Sequence, residues 1–248
     1  MKIVSFLLVP TVAAAAFLAS GDPVHADSDG VSPVLMVISN QDFWYQDYAD
    51  TRSSLEAAGL EVVVAATTAE SSPTRPEVTP DLALADVDAE AYSGIVFAGG
   101  WGMAQYQYGF KGTYHNSAYS DPRSAAIVND LINAFVDRNR PIAAICNGVS
   151  VLAWARVGGE SLLEGKTVTG WNGTLPGFEL DGQSYAAGTV PARWQIEAHG
   201  AAMSLSAAIG DPQTSADDVI VDGNIITAEN YDSAYAFGRE IARSLATR

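Results

Sequence analysis

The sequence predicts an α/β domain, a three-layer sandwich in which helices cover both faces of a mostly parallel central sheet. Three observations carry this. Short continuous apolar runs recur at Val34–Ser39 (VLMVIS), Leu60–Ala66 (LEVVVAA), Ser93–Ala98 (SGIVFA) and Pro141–Ile145 (PIAAI). Such runs suit strands buried on both faces. Amphipathic segments alternate with them, and that alternation favours parallel pairing through helical crossovers. Gly, Pro and Ser cluster at the junctions.

Taken in order, residues 27–33 (DSDGVSP) read as a short linker and Val34–Ser39 as the first strand. Asp47–Ala58 is expected to be helical, with Tyr48, Leu55 and Ala58 near one stripe and Gly59 closing it. Leu60–Ala66 follows as a strand, and the Thr/Ser/Pro-rich residues 67–81 as loop. Ser93–Ala98 is the third strand, ending in Gly99-Gly100. Residues 101–122 form an aromatic, glycine-rich excursion of a length that usually has a function. A helix is predicted over Ser124–Arg138, with Ile127, Leu131, Ile132 and Phe135 on one face. Pro141–Ile145 is a strand, Asn147–Val157 a helix and Lys166–Gly170 a strand. An irregular stretch precedes strands at Asp218–Val221 and Asn224–Ala228, and a last helix spans Ser233–Leu245.

The N-terminus, MKIVSFLLVPTVAAAAFLASGDPVHA, has a basic residue, an apolar Ala-rich run and a small-x-small site at Val24–Ala26. This is the pattern of a cleaved secretory signal over residues 1–26, so a secreted or periplasmic protein is expected. The remainder, residues 34–248, is long enough for one domain with a full core. The formal net charge is −16, and Lys2 and Asp22 cancel within the signal segment. A chain this acidic repels phosphate backbones and anionic headgroups, which argues against nucleic-acid or membrane partners after signal cleavage. No zinc-ligand spacing, P-loop or dinucleotide motif appears, so neither metal nor cofactor is expected.

Cys146 is the only cysteine, so no internal disulfide is possible. A lone cysteine is often a buried, inert residue. Its placement argues for a second reading. In open α/β sheets ligands bind beyond the carboxyl ends of strands, and Cys146 stands at such an end, before a predicted helix. A sharp strand-to-helix turn exposes its apex side chain and needs small neighbours such as Gly148. A helix start also stabilises a thiolate. Gly99-Gly100 ends another apolar strand, where missing side chains allow close backbone approach. Their N–H groups, with that of Asn147, are candidates for an oxyanion hole.

With these residues in view, the sequence resembles the DJ-1/PfpI superfamily. The resemblance rests on VLMVIS before an acidic helix start, IVFAGG, PIAAICNGVSVLA and DGNIITAEN before a last helix, and it covers about residues 34–247. It implies a flavodoxin-like, class I glutamine-amidotransferase-like fold and a homodimer. It also implies that a carboxylate from the first helix meets the cysteine. Counting back from Gly59 nominates Asp47, with Asp42 in the preceding loop as runner-up. Protease-like and glyoxalase-like members carry His after the cysteine, where this chain has Asn147. Some members place a His where this chain has Trp171. A Cys-His-Asp peptidase triad is thereby disfavoured.

Beyond the signal segment two histidines remain, His115 in the excursion and His199. Either is a candidate site residue or simply solvated. Trp44, Trp101 and Trp171, with His115, are candidate pocket residues, and the Tyr and Phe residues of the excursion share that expectation. They serve equally well as packing against the domain or a second subunit. Two functions follow. One is a hydrolase, hydratase or lyase that attacks a small electrophilic molecule through Cys146 with Asp47 as proton partner. The other is a non-catalytic redox-sensing or ligand-binding protein on the same fold.

Overall fold

Parallel strands buried on both faces form the centre of the protein in a computed structural model, which describes residues 32–72, 75–110, 120–171, 178–180, 183–185, 191–204 and 219–248. The expected signal segment, 1–26, and most of the linker lie outside the described residues. In chain order the elements are β1 (Val34–Val37), α1 (Tyr45–Ala57), β2 (Val62–Ala66), β3 (Leu82–Ala83), β4 (Gly94–Phe97), α2 (Pro122–Asp137), β5 (Ile142–Ile145) and α3 (Val149–Trp154). Then come β6 (Arg156–Val157), β7 (Glu160–Ser161), β8 (Thr167–Val168), β9 (Phe178–Leu180), β10 (Gln183–Tyr185), α4 (Pro191–Ala198), β11 (Ala202–Met203), β12 (Val219–Asp222), β13 (Ile225–Ala228) and α5 (Ala234–Ala246).

Seven described strands make one sheet in the order β12-β13-β5-β4-β1-β2-β3. Every pair is parallel except the β12–β13 hairpin, which turns at Gly223. Side chains alternate between faces. Leu35, Val37, Ile142 and Ala144 join α2, α3 and α4 through Phe135, Leu152 and Ile196. Val34, Met36, Ala143 and Ile145 join α1 and α5 through Leu55, Phe237 and Ile241. Phe135 and Phe237 are both fully buried, and truncating either to Ala should cost about 3–5 kcal/mol. The three predicted layers are present. No described helix is long and apolar enough to cross a membrane.

Several element bounds differ from expectation, each for a local reason. The predicted Asn147–Val157 helix is a 3-10 turn at Cys146–Gly148 followed by α3, only six residues long. Arg156 ends it: its Nη1 donates to the carbonyls of Ala153, Trp154 and Ala155, taking up the acceptors that a further helical turn would satisfy. Arg156 itself starts a hairpin, β6–β7. Helix α2 starts at Pro122 rather than Ser124, because Asp121 caps the N–H groups of Arg123 and Ser124 and Pro fits the first helical position. The excursion begins as a 3-10 turn, Trp101–Tyr106, pinned by the Tyr106 hydroxyl, which donates to the Ile38 carbonyl at 2.8 Å. Residues 111–119, with His115, lie outside the described residues.

Helix α1 is fixed against α5. Ser54 Oγ donates to the Tyr235 carbonyl at 2.8 Å, and Thr51 Oγ1 to the Ala234 carbonyl at 3.4 Å. That anchorage holds the first turn of α1, and hence Asp47, over the carboxyl ends of β4 and β5.

Candidate active site

The chain leaves β1 for β2 on one side and returns beyond β1 to β4 on the other. The crevice between β1 and β4 is therefore the place where strand order reverses, the usual ligand site of an open α/β sheet. Residues from the ends of four adjacent strands meet there: Asn230 and Tyr231 after β13, Cys146 and Asn147 after β5, Gly100 and Trp101 after β4, Asp42 and Trp44 after β1. Together with Trp171, past β8, they line a cavity of about 460 Å³. That is room for a small molecule.

Cys146 follows the last extended residue of β5 with φ +58°, a left-handed conformation that costs a non-glycine residue about 1–3 kcal/mol. The turn lifts the partly exposed thiol into the cavity. The backbone N–H groups of Asn147 and Gly100 hydrogen-bond to the sulfur and pull its pKa down. Burial and the Asp47 charge push it up more strongly. With α3 so short, these two defined donors stand in for the long helix that the sequence suggested.

Asp47 lies in the first turn of α1, fully buried. A carboxylate there would ordinarily cap the helix. Here the helix entrance is held instead by Trp44 N–H donating to the Gly99 carbonyl at 3.0 Å, and the Asp47 carboxyl turns inward. Neither of its oxygens makes a well-directed hydrogen bond among the described residues, and the Cys146 thiol is the polar group it interacts with. Burial pushes this carboxyl up to about 8. The contact with Cys146 opposes that, and Asp50 adds a little to it. Asp47 therefore keeps its proton at neutral pH. A protonated carboxyl carries no charge to repel a thiolate and has an O–H to donate to it.

Two glycines make the contact possible. A Cβ on Gly99 would stand 2.0 Å from Asp47 Oδ2 and 2.6 Å from Cys146 Cβ. Gly99 was expected as an oxyanion donor, but what it contributes is the absence of a side chain between acid and thiol. Gly100 has φ +106° and ψ 160°, a region open essentially only to glycine. Its carbonyl accepts from Asn147 Nδ2 at 3.1 Å, which ties the two thiol-facing residues together.

Of the expected pocket residues, Trp44, Trp101 and Trp171 line the cavity. Trp171 N–H donates to the Cys146 carbonyl at 3.3 Å. His199 is elsewhere: its Nδ1 lies 2.6 Å from the Gln195 carbonyl and its ring packs on Trp154. Asp42, the runner-up acid, is exposed at the cavity rather than against the thiol. Asn230 and Tyr231 were missed. They stand after β13, and only the strand order places that strand end beside β5. Among the described residues no group of three or more His, Cys, Asp or Glu is placed to hold a metal ion.

The DJ-1/PfpI family model matches residues 116–244, and the Peptidase C26 model matches residues 33–169. An uncharacterized protein of Methanocaldococcus jannaschii is 27% identical over 86% of this chain and 82% of its own length. The ThiJ/PfpI domain protein of Brachyspira murdochii superposes with a TM-score of 0.65 at 21% identity, over 88% of this chain and 99% of that one. DJ-1beta of Drosophila melanogaster does so with a TM-score of 0.62 at 21% identity, over 88% and 92%. At such identities these structures speak for the fold alone. The family match takes in the Cys146 turn and most of what is described after it, through residue 244, and on that match the chain belongs to the DJ-1/PfpI family.

Proposed function

We propose that the protein is a cysteine-dependent hydrolase, hydratase or lyase acting on a small electrophilic molecule. One observation carries this reading: a fully buried carboxyl that makes no well-directed hydrogen bond among the described residues is held against a thiol at the apex of a strained turn. Burying an unpaired carboxyl is costly to the fold, and a shared proton with Cys146 gives that cost a purpose. In the reaction, Cys146 Sγ supplies the electron pair for a new C–S bond. The π pair of the attacked carbonyl or nitrile-like carbon moves to its oxygen or nitrogen, and the N–H groups of Gly100 and Asn147 hold the resulting charge. Asp47 delivers its proton to that atom while its other carboxyl oxygen takes the proton of the Cys146 thiol, so the adduct is neutral and the acid ends the step protonated. Water then attacks the same carbon and gives a proton to Asp47, and the C–S bond breaks with its electron pair leaving on Sγ, to which Asp47 returns a proton. Among the described residues no histidine lines the cavity. The leader-like residues 1–26 support export as the setting, and finding Asp27 as the N-terminus of protein from the culture medium would test that.

The test of the dyad is the rate of Cys146 alkylation by iodoacetamide against pH, on the wild type and Asp47→Asn, read by mass spectrometry. The wild type should rise in two steps, the first near pH 8, as the pair loses its protons in turn. Asp47→Asn should show a single step, and its turnover of an accepted electrophile should fall by about 10²–10⁴-fold. Identical profiles, or a thiol that reacts only after unfolding, would overturn the reading.

A further inference from the structure

The aromatic side chains at the cavity come in two pairs, one from each face of the sheet. Trp44 and Tyr231 stand just before α1 and α5, whose Leu55, Phe237 and Ile241 belong to one core face. Their rings stack with centres 6.0 Å apart and planes 30° from parallel. Trp101 opens the 3-10 turn that buries Met103 and Tyr106 in the opposite core face, and Trp171 follows β8, whose Val168 packs there too. These two rings meet edge to face at 4.9 Å and 83°. Both pairs line the same cavity as Cys146, and the bond from Trp171 N–H to the Cys146 carbonyl holds the second pair close to the thiol. The Trp44 and Tyr231 rings remain 48% and 40% exposed. Two stacked rings left half open at a cavity still have contact area to give.

Resting on the reading of this cavity as a substrate site, we propose that it selects electrophiles that carry an aromatic ring, taken up against the Trp44–Tyr231 stack and Trp171 while the reacting carbon lies at Cys146. A flat ring can extend the offset stack on one side and meet a ring edge or face on the other. Such contacts are worth more than the apolar area they bury. A saturated ring of the same size buries as much area, and is the more apolar of the two, but makes neither contact. Burial alone would therefore favour the saturated ring, and only the geometry of the aromatic pairs reverses that order. The cavity of about 460 Å³ has room for a single ring together with the reacting group. With its walls supplied from both faces of the sheet, it can hold such a ring beside the thiol without disturbing either core.

The test compares two alkylating reagents, N-benzyl iodoacetamide and N-cyclohexylmethyl iodoacetamide. In each, Sγ displaces iodide from the same carbon, and the ring is too remote to change its intrinsic reactivity. Second-order rates of Cys146 labelling are read by mass spectrometry on the wild type, Trp44→Leu and Trp171→Leu. Only the ratio of the two rates is used, so a change in thiol reactivity cancels. The benzyl reagent should label the wild type at least about threefold faster, and each variant should bring the ratio towards one. A smaller wild-type ratio, faster labelling by the cyclohexylmethyl reagent, or a preference that survives in both variants would overturn the proposal. The unreactive analogues N-benzylacetamide and N-cyclohexylmethylacetamide, titrated into the wild type by calorimetry, give the same comparison without the thiol. The benzyl analogue should again bind at least about threefold more tightly, and equal affinities or no binding of either would overturn the proposal. Aromatic preference beside an inert thiol would thus sink the catalytic reading alone, and a reactive thiol without that preference would sink this proposal alone.

Discussion

Two buried polar clusters lie on opposite faces of the sheet beneath the Cys146 turn, and they are built on opposite principles. On the α3 side, Ser150 Oγ donates to the Asn147 carbonyl at 2.7 Å. Gln107 Nε2 reaches both Ser150 Oγ and Gln195 Oε1, and Trp154 Nε1 donates to that same Gln195 oxygen at 2.8 Å. On the α1 side, Asp47 is as deeply buried, yet among the described residues its carboxyl has only the thiol as hydrogen-bonding partner. The satisfied cluster rigidifies the turn from below. The unsatisfied group is costly to the fold and, on the proposed reading, is held ready for chemistry. Burial alone does not distinguish a structural polar residue from a reacting one; the list of partners does.

The comparison breaks most readily at Asp47. In the unfolded chain this acid titrates near the ordinary value of about 3.9, whereas in the fold it holds its proton up to about 8. Across that window the folded state binds the extra proton. The contribution of Asp47 is therefore most favourable below about pH 4 and declines by about 1.4 kcal/mol per pH unit as pH rises towards 8. Asn does not titrate, so Asp47→Asn should gain stability on the wild type between pH 5 and 8, by several kcal/mol in all. Urea denaturation at the two pH values measures this, and a constant difference would mean that the carboxyl is not held neutral.

Gly99→Ala comes next. Its Cβ would collide with both Asp47 Oδ2 and Cys146 Cβ. Overpacking of this kind costs about 1–3 kcal/mol and should also separate the pair, merging the two steps of the alkylation profile into one. An unchanged profile would show that Asp47 and Cys146 act independently.

The α3 side should answer differently. Gln195→Leu leaves Trp154 Nε1 and one Gln107 donor without their acceptor, at a cost of about 1–3 kcal/mol in thermal or urea unfolding. The smallest effect is expected of Ser150→Ala, about 1 kcal/mol. Neither should move the pH steps of Cys146 alkylation. A shift in either variant would make this cluster part of the titrating system and erase the contrast.

How much of this was legible in the sequence follows the same division. The central strands are nearly continuous apolar runs because both their faces are buried, so VLMV, GIVF and IAAI declare themselves. Cys146, Gly99 and Gly100 stand out because a turn at a strand end demands small or unusual residues. Asp47 emerged only by counting back from Gly59 with a family resemblance in hand, since an acid in a first helical turn ordinarily caps the helix. The length of α3 was hidden because VLAWARV keeps a helical look, and only the backward reach of Arg156 ends the helix. The Gln107–Ser150–Gln195 cluster and the places of Asn230 and Tyr231 depend on strand order, which brings residues more than forty or eighty positions apart into contact. Local pattern carries no trace of that.

The groups placed to react hang from β4, β5 and the clamped first turn of α1. Most of the aromatic wall comes from other segments: the turns after β1 and β13 and the residue past β8. Those segments present half-open side chains that the core does not depend on. On the proposed reading, descendants of this chain can therefore exchange Trp44, Trp171 or Tyr231 and change what they accept, while Cys146 and Asp47 remain as inherited. A single scaffold arranged in this way is suited to give rise to enzymes of one chemistry and many diets.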